Sequence, residues 1–338
     1  MKKYKIHFVC RGNIYRSRLA EACMKSLGKP ELSISSSGIN SYENPGISFS
    51  SYGDYAARHF NIRTHVSPDK IQTSQQYLDT ADIVVFMNKD VYEDALGLYS
   101  VNSAKCVVWD IKDVDEVIAA RNGDLSDADV LNQIAVETYR IIRNKVSSLA
   151  YELTSVSWAD IVDENNRTLG YRLPVSWASD RGLFRRGCHA IITTVDRKFL
   201  IEKRSKTIVF FPGRLDIGVG GGVDDGESPE HAVMREIEEE TGIKINKEWL
   251  RLIDTRKWNT YHPSYKKYSR FFIYTYHVKI PVQVKHLERQ AAEVAAIRLV
   301  GRRKIQTLLQ AGRLVNFGRL RPGTAYYKEV VDLALKEL

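Results

Sequence analysis

The first 150 residues alternate short apolar runs with amphipathic stretches. "KYKIHFVC" (3–10) reads as a buried strand, and "RSRLAEACMKSL" (16–27) repeats apolar residues at helical spacing until Gly28 and Pro30 stop it. "LSISSSG" (32–38), "ADIVVFMN" (81–88) and "AKCVVWDI" (104–111) read as further strands. "SFSSYGDYAARHFNI" (48–62) reads as a helix, and residues 127–153 as a long closing one. This alternation predicts an α/β fold with a doubly wound parallel sheet, whose ligands gather at the carboxyl ends of the strands. Cys10 and residues 109–113 lie at such ends.

The pattern changes near residue 155. "GCHAIITTV" and "KFLIEKRS" flank a turn at 196–198, followed by a glycine-rich passage, one charged helix and the aromatic strand "RFFIYTYHVKI". This predicts a mixed α+β fold with hairpins, and two domains, 1–154 and 155–338, each long enough to bury a core. Charge divides the same way. Residues 1–150 carry 18 basic and 18 acidic side chains, so of the totals of 50 and 41 the remainder holds 32 and 23, all of the +9 excess. An anionic partner is expected for that second part. No apolar run is long enough for a signal peptide or a membrane span, so no membrane partner is expected. The four cysteines, without paired spacing, suit a reducing cytoplasm.

"HFVCRGNIYRS" (7–17) places a thiol where a strand meets a tight loop and a helix. That arrangement aims consecutive backbone N–H groups (Arg11, Gly12, Asn13, Ile14, Tyr15) and the positive end of a helix at one point. It predicts an anion cradle with Cys10 as a thiolate near neutral pH. Arg16 can grip two phosphate oxygens in its planar fork, and Ser17 can donate a hydroxyl to the sulfur. Gly12 and Asn13 suit the positive φ such a loop demands. A leaving oxygen also needs a proton, for which "VVWDIKDVDEV" offers Asp110, Asp113 and Asp115.

Cys-x5-Arg-Ser after the first strand, with "SSSGIN", "DTADIVVFMNKD" and the closing helix, resembles the low-molecular-weight protein tyrosine phosphatases over about residues 1–152. The resemblance implies a phosphocysteine on Cys10, phosphoryl binding by Arg16, a loop held by Asn13 and Ser17, and Asp113 as general acid. The substrate would be a phosphomonoester, on a phosphoprotein or a metabolite, and no cofactor is implied. The chain departs from the family pattern at Tyr15 (usually a second cysteine), Arg18 (usually proline) and "VDEVIAA", which lacks the tyrosines that grip an aromatic ring. Arsenate reductases share this fold but need extra cysteines that the middle of the domain lacks.

"GGVDDGESPEHAVMREIEEETGI" predicts a helix over 229–241, with Ser228 as N-cap, Pro229 in the first position and Gly242 as stop. Glu236, Glu239 and Glu240 share a face, with Val233 and Ile237 on the apolar side. With no lysine one turn away to offset them, these carboxylates point to a hard divalent cation. Gly221-x5-Glu227-x7-Arg235-Glu236-Ile237-x-Glu239-Glu240-x-Gly242-Ile243 resembles the Nudix box at all nine defined positions. The resemblance implies Mg²⁺ or Mn²⁺ held by Glu236, Glu239 and Glu240, with Glu227 nearby and the Gly221 carbonyl in reach. Arg235 would orient a glutamate within the substrate-binding set, and Glu293 would be a further acidic residue. The substrate would be a small diphosphate, such as a nucleoside diphosphate-linked compound, with Glu236 and Glu239 in the catalytic set.

The flanks "DIVDENNRTLGY", "RRGCHAIITTV", "LIEKRS" and "FFPGRLDIGVGGGV" resemble the branch related to isopentenyl-diphosphate isomerase. The isomerase needs a cysteine where this chain has "LDIGVGGGV", so hydrolysis is expected. Cys188 and His189 read as core. "RKWNTYHPSYKKYSRFFIYTY" (256–276) interleaves basic and aromatic residues as a base-stacking surface would, and equally as a β-hairpin with one wet face, so it supports no claim of nucleic-acid binding. The expected whole is a bifunctional hydrolase. Its alternatives are a phosphate-sensing first domain beside a catalytic Nudix domain, and an RNA-directed Nudix protein.

Overall fold

In a computed structural model, the described residues are 3–43, 45–121, 126–207, 211–280, 294–311, 314 and 322–337. Glu293 lies outside them. The chain forms two compact units, residues 1–156 and 157–338.

In the first unit β1 (Tyr4–Cys10) pairs in parallel with β2 (Leu32–Gly38) and β3 (Ile83–Phe86), and β3 with β4 (Cys106–Val108), giving the order β2-β1-β3-β4. Helix α1 (Arg16–Ser26) returns from β1 to β2, and α2 (Ser51–His59) follows. Helices α3 (Gln75–Thr80) and α4 (Lys89–Leu98) bracket β3. Beyond β4 come α5 (Val114–Ala120) and the long α6 (Ala128–Thr154), on which α1 and α2 both pack. Val9, Val84 and Phe86 meet Leu78 of α3 with Val91 and Ala95 of α4 on one face of the sheet. The doubly wound parallel sheet is therefore present. The sequence pattern had not marked α3, α4 or α5.

The second unit opens with the hairpin β5 (Trp158–Val162) and β6 (Thr168–Pro174), then the short α7 (Val175–Asp180). Its main sheet runs β11 (Leu250–His262), β12 (Lys267–Ile280), β7 (Arg185–Thr194), β8 (Phe199–Arg204), β13 (Val294–Val300). The short β9 (Leu215–Ile217) pairs with β8, and β10 (Val219–Gly222) with β7. Alternation along β7 splits the core. Cys188, Ala190 and Ile192 face α8 (Pro229–Thr241) through Val233 and Ile237. Ile191 faces α9 (Arg302–Gln310) and α10 (Pro322–Lys336) through Ile305, Leu308 and Val330. The basic–aromatic stretch is the β11–β12 hairpin, and its Trp258 is buried opposite Phe271 rather than offered to a base at the surface.

His7 sits inside the first sheet, with Nδ1 2.7 Å from Ser35 Oγ and Nε2 2.7 Å from Ser37 Oγ, stacked on Tyr77. Burial pushes its pKa down to about 4. The unfolded chain takes up this proton near the ordinary value of 6.5, so the folded state loses stability as pH falls from there toward 4. At roughly 1.4 kcal/mol per unit the loss is about 3 kcal/mol. Denaturant melts of the first unit's signal at pH 7 and pH 4, wild type against His7→Gln, should show this component only in the wild type.

Candidate active sites

β1 ends at Cys10 and α1 begins at Arg16, so the five residues between turn back around the sulfur. Cys10 is buried, with Sγ 3.2 Å from the donating amide of Asn13 and 3.0 Å from Ser17 Oγ. Asn13 fixes the loop. Its φ of 52° aims that amide inward. Its side-chain nitrogen donates to Ser17 Oγ and Ser36 Oγ, both at 2.9 Å, and its oxygen accepts from the Ile71 amide at 2.7 Å. Among the described residues Gly12 is not left-handed, contrary to expectation; Asn13 alone makes that turn here. The glycine the loop needs is Gly38 on β2, where a Cβ would stand 2.5 Å from Asn13 N and 2.6 Å from Arg11 O.

Arg16 is buried, and its fork is engaged: Nη1 donates to the Ile111 carbonyl at 2.8 Å and Nη2 pairs with Asp113. Asp113 caps α5, accepting from the Val114 amide at 2.9 Å, while Glu116 accepts from the Asp113 amide at 3.1 Å. Of the three aspartates offered by the sequence, Asp113 is the one joined to Arg16, whereas Asp110 and Asp115 are exposed. Arg11 turns outward to Asp94, and the Ile14 carbonyl accepts from Ser50. The Tyr15 side chain is buried edge-on against Tyr52. Arg18, where proline was usual, is buried and donates to the carbonyls of Ser48 and Ser67, tying their loop to α1.

In the second unit α8 starts and stops as predicted, with Ser228 Oγ accepting from the His231 amide and Gly242 left-handed at φ 71°. Its carboxylates do not share one environment: Glu236 and Glu240 are buried and Glu239 is exposed. Nor do they lack a cation. Arg235 donates to Glu227 (Nε 3.2 Å, Nη2 3.1 Å), Glu236 (2.9 Å), Glu239 (3.2 Å) and the Gly222 carbonyl (3.1 Å). The uncompensated helix face expected from the sequence is corrected by this arginine. Burial works against its charge, but the hydrogen bonds and charges of Glu227 and Glu236 push its pKa up.

Among the described residues no three His, Cys, Asp or Glu side chains stand as a ready metal cage. The donors nonetheless fit a hard divalent cation, being oxygens throughout. Glu236 fills the place a side chain at 221 would take, since a Cβ there would lie 2.0 Å from its Oε1. Glu227, Glu236, Glu239, Glu240 and the Gly221 carbonyl are the residues that would hold it. Cys188 is core, as read from sequence, yet it touches this region with Sγ 3.7 Å from the Gly221 carbonyl. Burial and the Glu236 charge push its thiol pKa up, which keeps it an inert thiol. His189 is core too, between Tyr326 Oη (2.7 Å) and the Ile217 carbonyl (2.8 Å).

Residues 5–162 match the family model of low molecular weight phosphotyrosine protein phosphatases, and residues 183–317 that of the NUDIX domain. The chain thus carries a phosphatase-like domain and a Nudix hydrolase domain, each of an enzyme family. An uncharacterized Nudix hydrolase of Yersinia pestis is 34% identical over 88 residues, 26% of this chain and 48% of that protein. The chain thus spans about half the length of that relative. Among solved structures, DR0079 of Deinococcus radiodurans (19% identity, TM-score 0.39) covers 52% of this chain and 97% of its own. A low molecular weight protein tyrosine phosphatase of T. tengcongensis (22%, TM-score 0.35) covers 45% and 100%.

Because the atoms facing Gly38 are backbone, Gly38→Ala cannot be absorbed by a side-chain rotation. A cost of about 1–3 kcal/mol is expected. Thermal melting of the full chain should show a lowered first-unit transition, and an unchanged one would exclude the close approach.

Proposed function

We propose that the first domain is a cysteine-dependent phosphomonoester phosphatase and the second a divalent-metal-dependent diphosphate hydrolase. The observation that supports the first most is Cys10 Sγ facing the Asn13 amide and Ser17 Oγ while Arg16 joins the same loop to Asp113. The Cys10 thiolate attacks phosphorus, the S–P bond forms and the ester P–O bond breaks, with Asp113 giving its proton to the departing oxygen. Water then attacks the phosphocysteine, Asp113 takes back a proton, and phosphate and thiolate separate, the latter eased by Ser17. An incoming phosphate competes with Asp113 for the Arg16 guanidinium. Substrate binding itself thereby loosens the acid from its ion pair.

In the second domain Glu236, Glu239 and Glu240, with Glu227 and the Gly221 carbonyl, would hold Mg²⁺ or Mn²⁺. Such a cation, when bound, neutralises diphosphate oxygens. Arg235 keeps Glu227 and Glu236 in place, and a glutamate of this set takes the proton of the attacking water. One bridging P–O bond breaks as the new P–O bond forms, giving two phosphorylated products. The flanking sequence favours an isomerase-related branch of the family acting as a hydrolase.

Cys10→Ser should abolish turnover of p-nitrophenyl phosphate, and Asp113→Asn should lower it by about 10²–10⁴. Undiminished turnover in Cys10→Ser would remove the phosphatase reading. A panel of nucleoside diphosphate sugars, dinucleotides, NADH and capped RNA, assayed with Mg²⁺ and with Mn²⁺, should yield at least one substrate. Its hydrolysis should fall at least about tenfold in Glu239→Gln; equal rates in the two proteins would reject the carboxylate assignment.

A further inference from the structure

A cavity of about 250 Å³ lies within the second unit, between Gly220–Gly222 of β10 and the aromatic side chains of Trp258, Phe271, Tyr326 and Tyr327. It has room for several waters and approaches the lower end of small-ligand pockets. Most of its polar side chains are already satisfied. His189 Nε2 donates to the Ile217 carbonyl, so Nδ1 accepts from Tyr326 Oη, which in turn lies 2.8 Å from Thr275 Oγ1. Tyr327 donates to Asp216, and Arg204 stands 3.8 Å from the same carboxylate.

Arg185 is different. Its side chain lines the cavity with 5% of the residue exposed, Cζ 4.3 Å from the centre of the Phe271 ring. Its Nη1 is buried with no hydrogen-bond partner, and among the described residues no carboxylate pairs with it. Burial alone pushes its pKa down to about 10, so it remains a cation at neutral pH. A buried guanidinium without an acceptor is costly to keep, and a ring face compensates only part of that cost. The same cavity reaches Gly221, whose other side meets Glu236.

We infer that Arg185 is an oxyanion receptor of the Nudix substrate, seating a phosphoryl oxygen while the aromatic wall holds a compact flat or apolar group attached to it. The inference rests on the hydrolase reading for its substrate class, a phosphorylated organic diphosphate, but not for its existence. The apolar lining limits the bound organic part to a small group. Arg185 binds rather than transfers protons, and its loss should raise KM more than it lowers kcat.

The test is calorimetric titration of methylenediphosphonate into the full chain carrying Arg16→Met, which disables the other anion site, in EDTA. Metal-free conditions separate this receptor from the carboxylate cluster. Binding is expected in that background and should weaken at least about tenfold on adding Arg185→Met, as loss of a charge-assisted hydrogen bond does. Arg185→Lys should retain part of the affinity. Because Arg185→Met also removes an uncompensated buried charge, its melting temperature without ligand should equal or exceed that of its parent. Absence of binding in the Arg16→Met chain, undiminished affinity in Arg185→Met, or a loss that appears only with a collapsed melting baseline would each overturn the inference. Should no diphosphate on the panel be hydrolysed while Arg185-dependent binding persists, the hydrolase reading falls and the receptor stands.

Discussion

Each candidate site is organised by one arginine whose planar fork is already in use. Arg16 spans the Ile111 carbonyl and Asp113, and Arg235 spans Glu227, Glu236, Glu239 and the Gly222 carbonyl. A lysine could not do either, because its three donors radiate from one point whereas a guanidinium presents them along a rigid edge. In the first site the fork brings an acid toward a thiol loop. In the second it holds like charges together that would otherwise repel. Both assemblies depend on a cation that is partly or wholly removed from water, where its attractions are strengthened.

What the sequence disclosed follows from how local each signal is. α8 was readable to the residue because Ser228, Pro229 and Gly242 act within one turn of its ends. The cysteine loop was readable because a strand, a five-residue turn and a helix are contiguous. α5 carries a local signal of another kind, since Asp113 and Glu116 stand at the spacing of a reciprocal cap. α3 and α4 are harder: six and ten residues long, they bury only Leu78 and only Val91 and Ala95 respectively, and packing rather than pattern decides them.

The least legible features are those that require distant segments to meet. Arg235 reads locally as one basic residue before four acidic ones, and only the fold brings Glu227 and the Gly222 carbonyl to it. Gly38 reads as a strand end until β2 lies beside β1 and its missing side chain makes room for the loop. Arg185 begins β7 like any charged strand terminus, and nothing in "LFRRGC" separates it from Arg186. Yet Arg186 donates to Asn166 while the Arg185 Nη1 has no acceptor.

The two sites differ in how far they are ready for a ligand. Around Cys10, Asn13 is satisfied from three segments at once, so the amide it aims at the sulfur is held in place, and an anion bound as proposed would not have to order that turn. Under the proposed function only the Arg16–Asp113 pair would have to yield, to a phosphate dianion competing for the guanidinium. Around Glu236 the order is reversed. Three of the carboxylates are gathered by Arg235, so a divalent cation bound as proposed would have to displace guanidinium contacts to Glu236 and Glu239 in order to use those oxygens. Glu227, held by two separate nitrogens of Arg235, can keep the arginine as the other contacts open. The arginine thus serves as a stand-in charge: it keeps Glu227, Glu236 and Glu239 from repelling one another, and under the proposed function it would stay beside them through Glu227 as a divalent cation took over the other two.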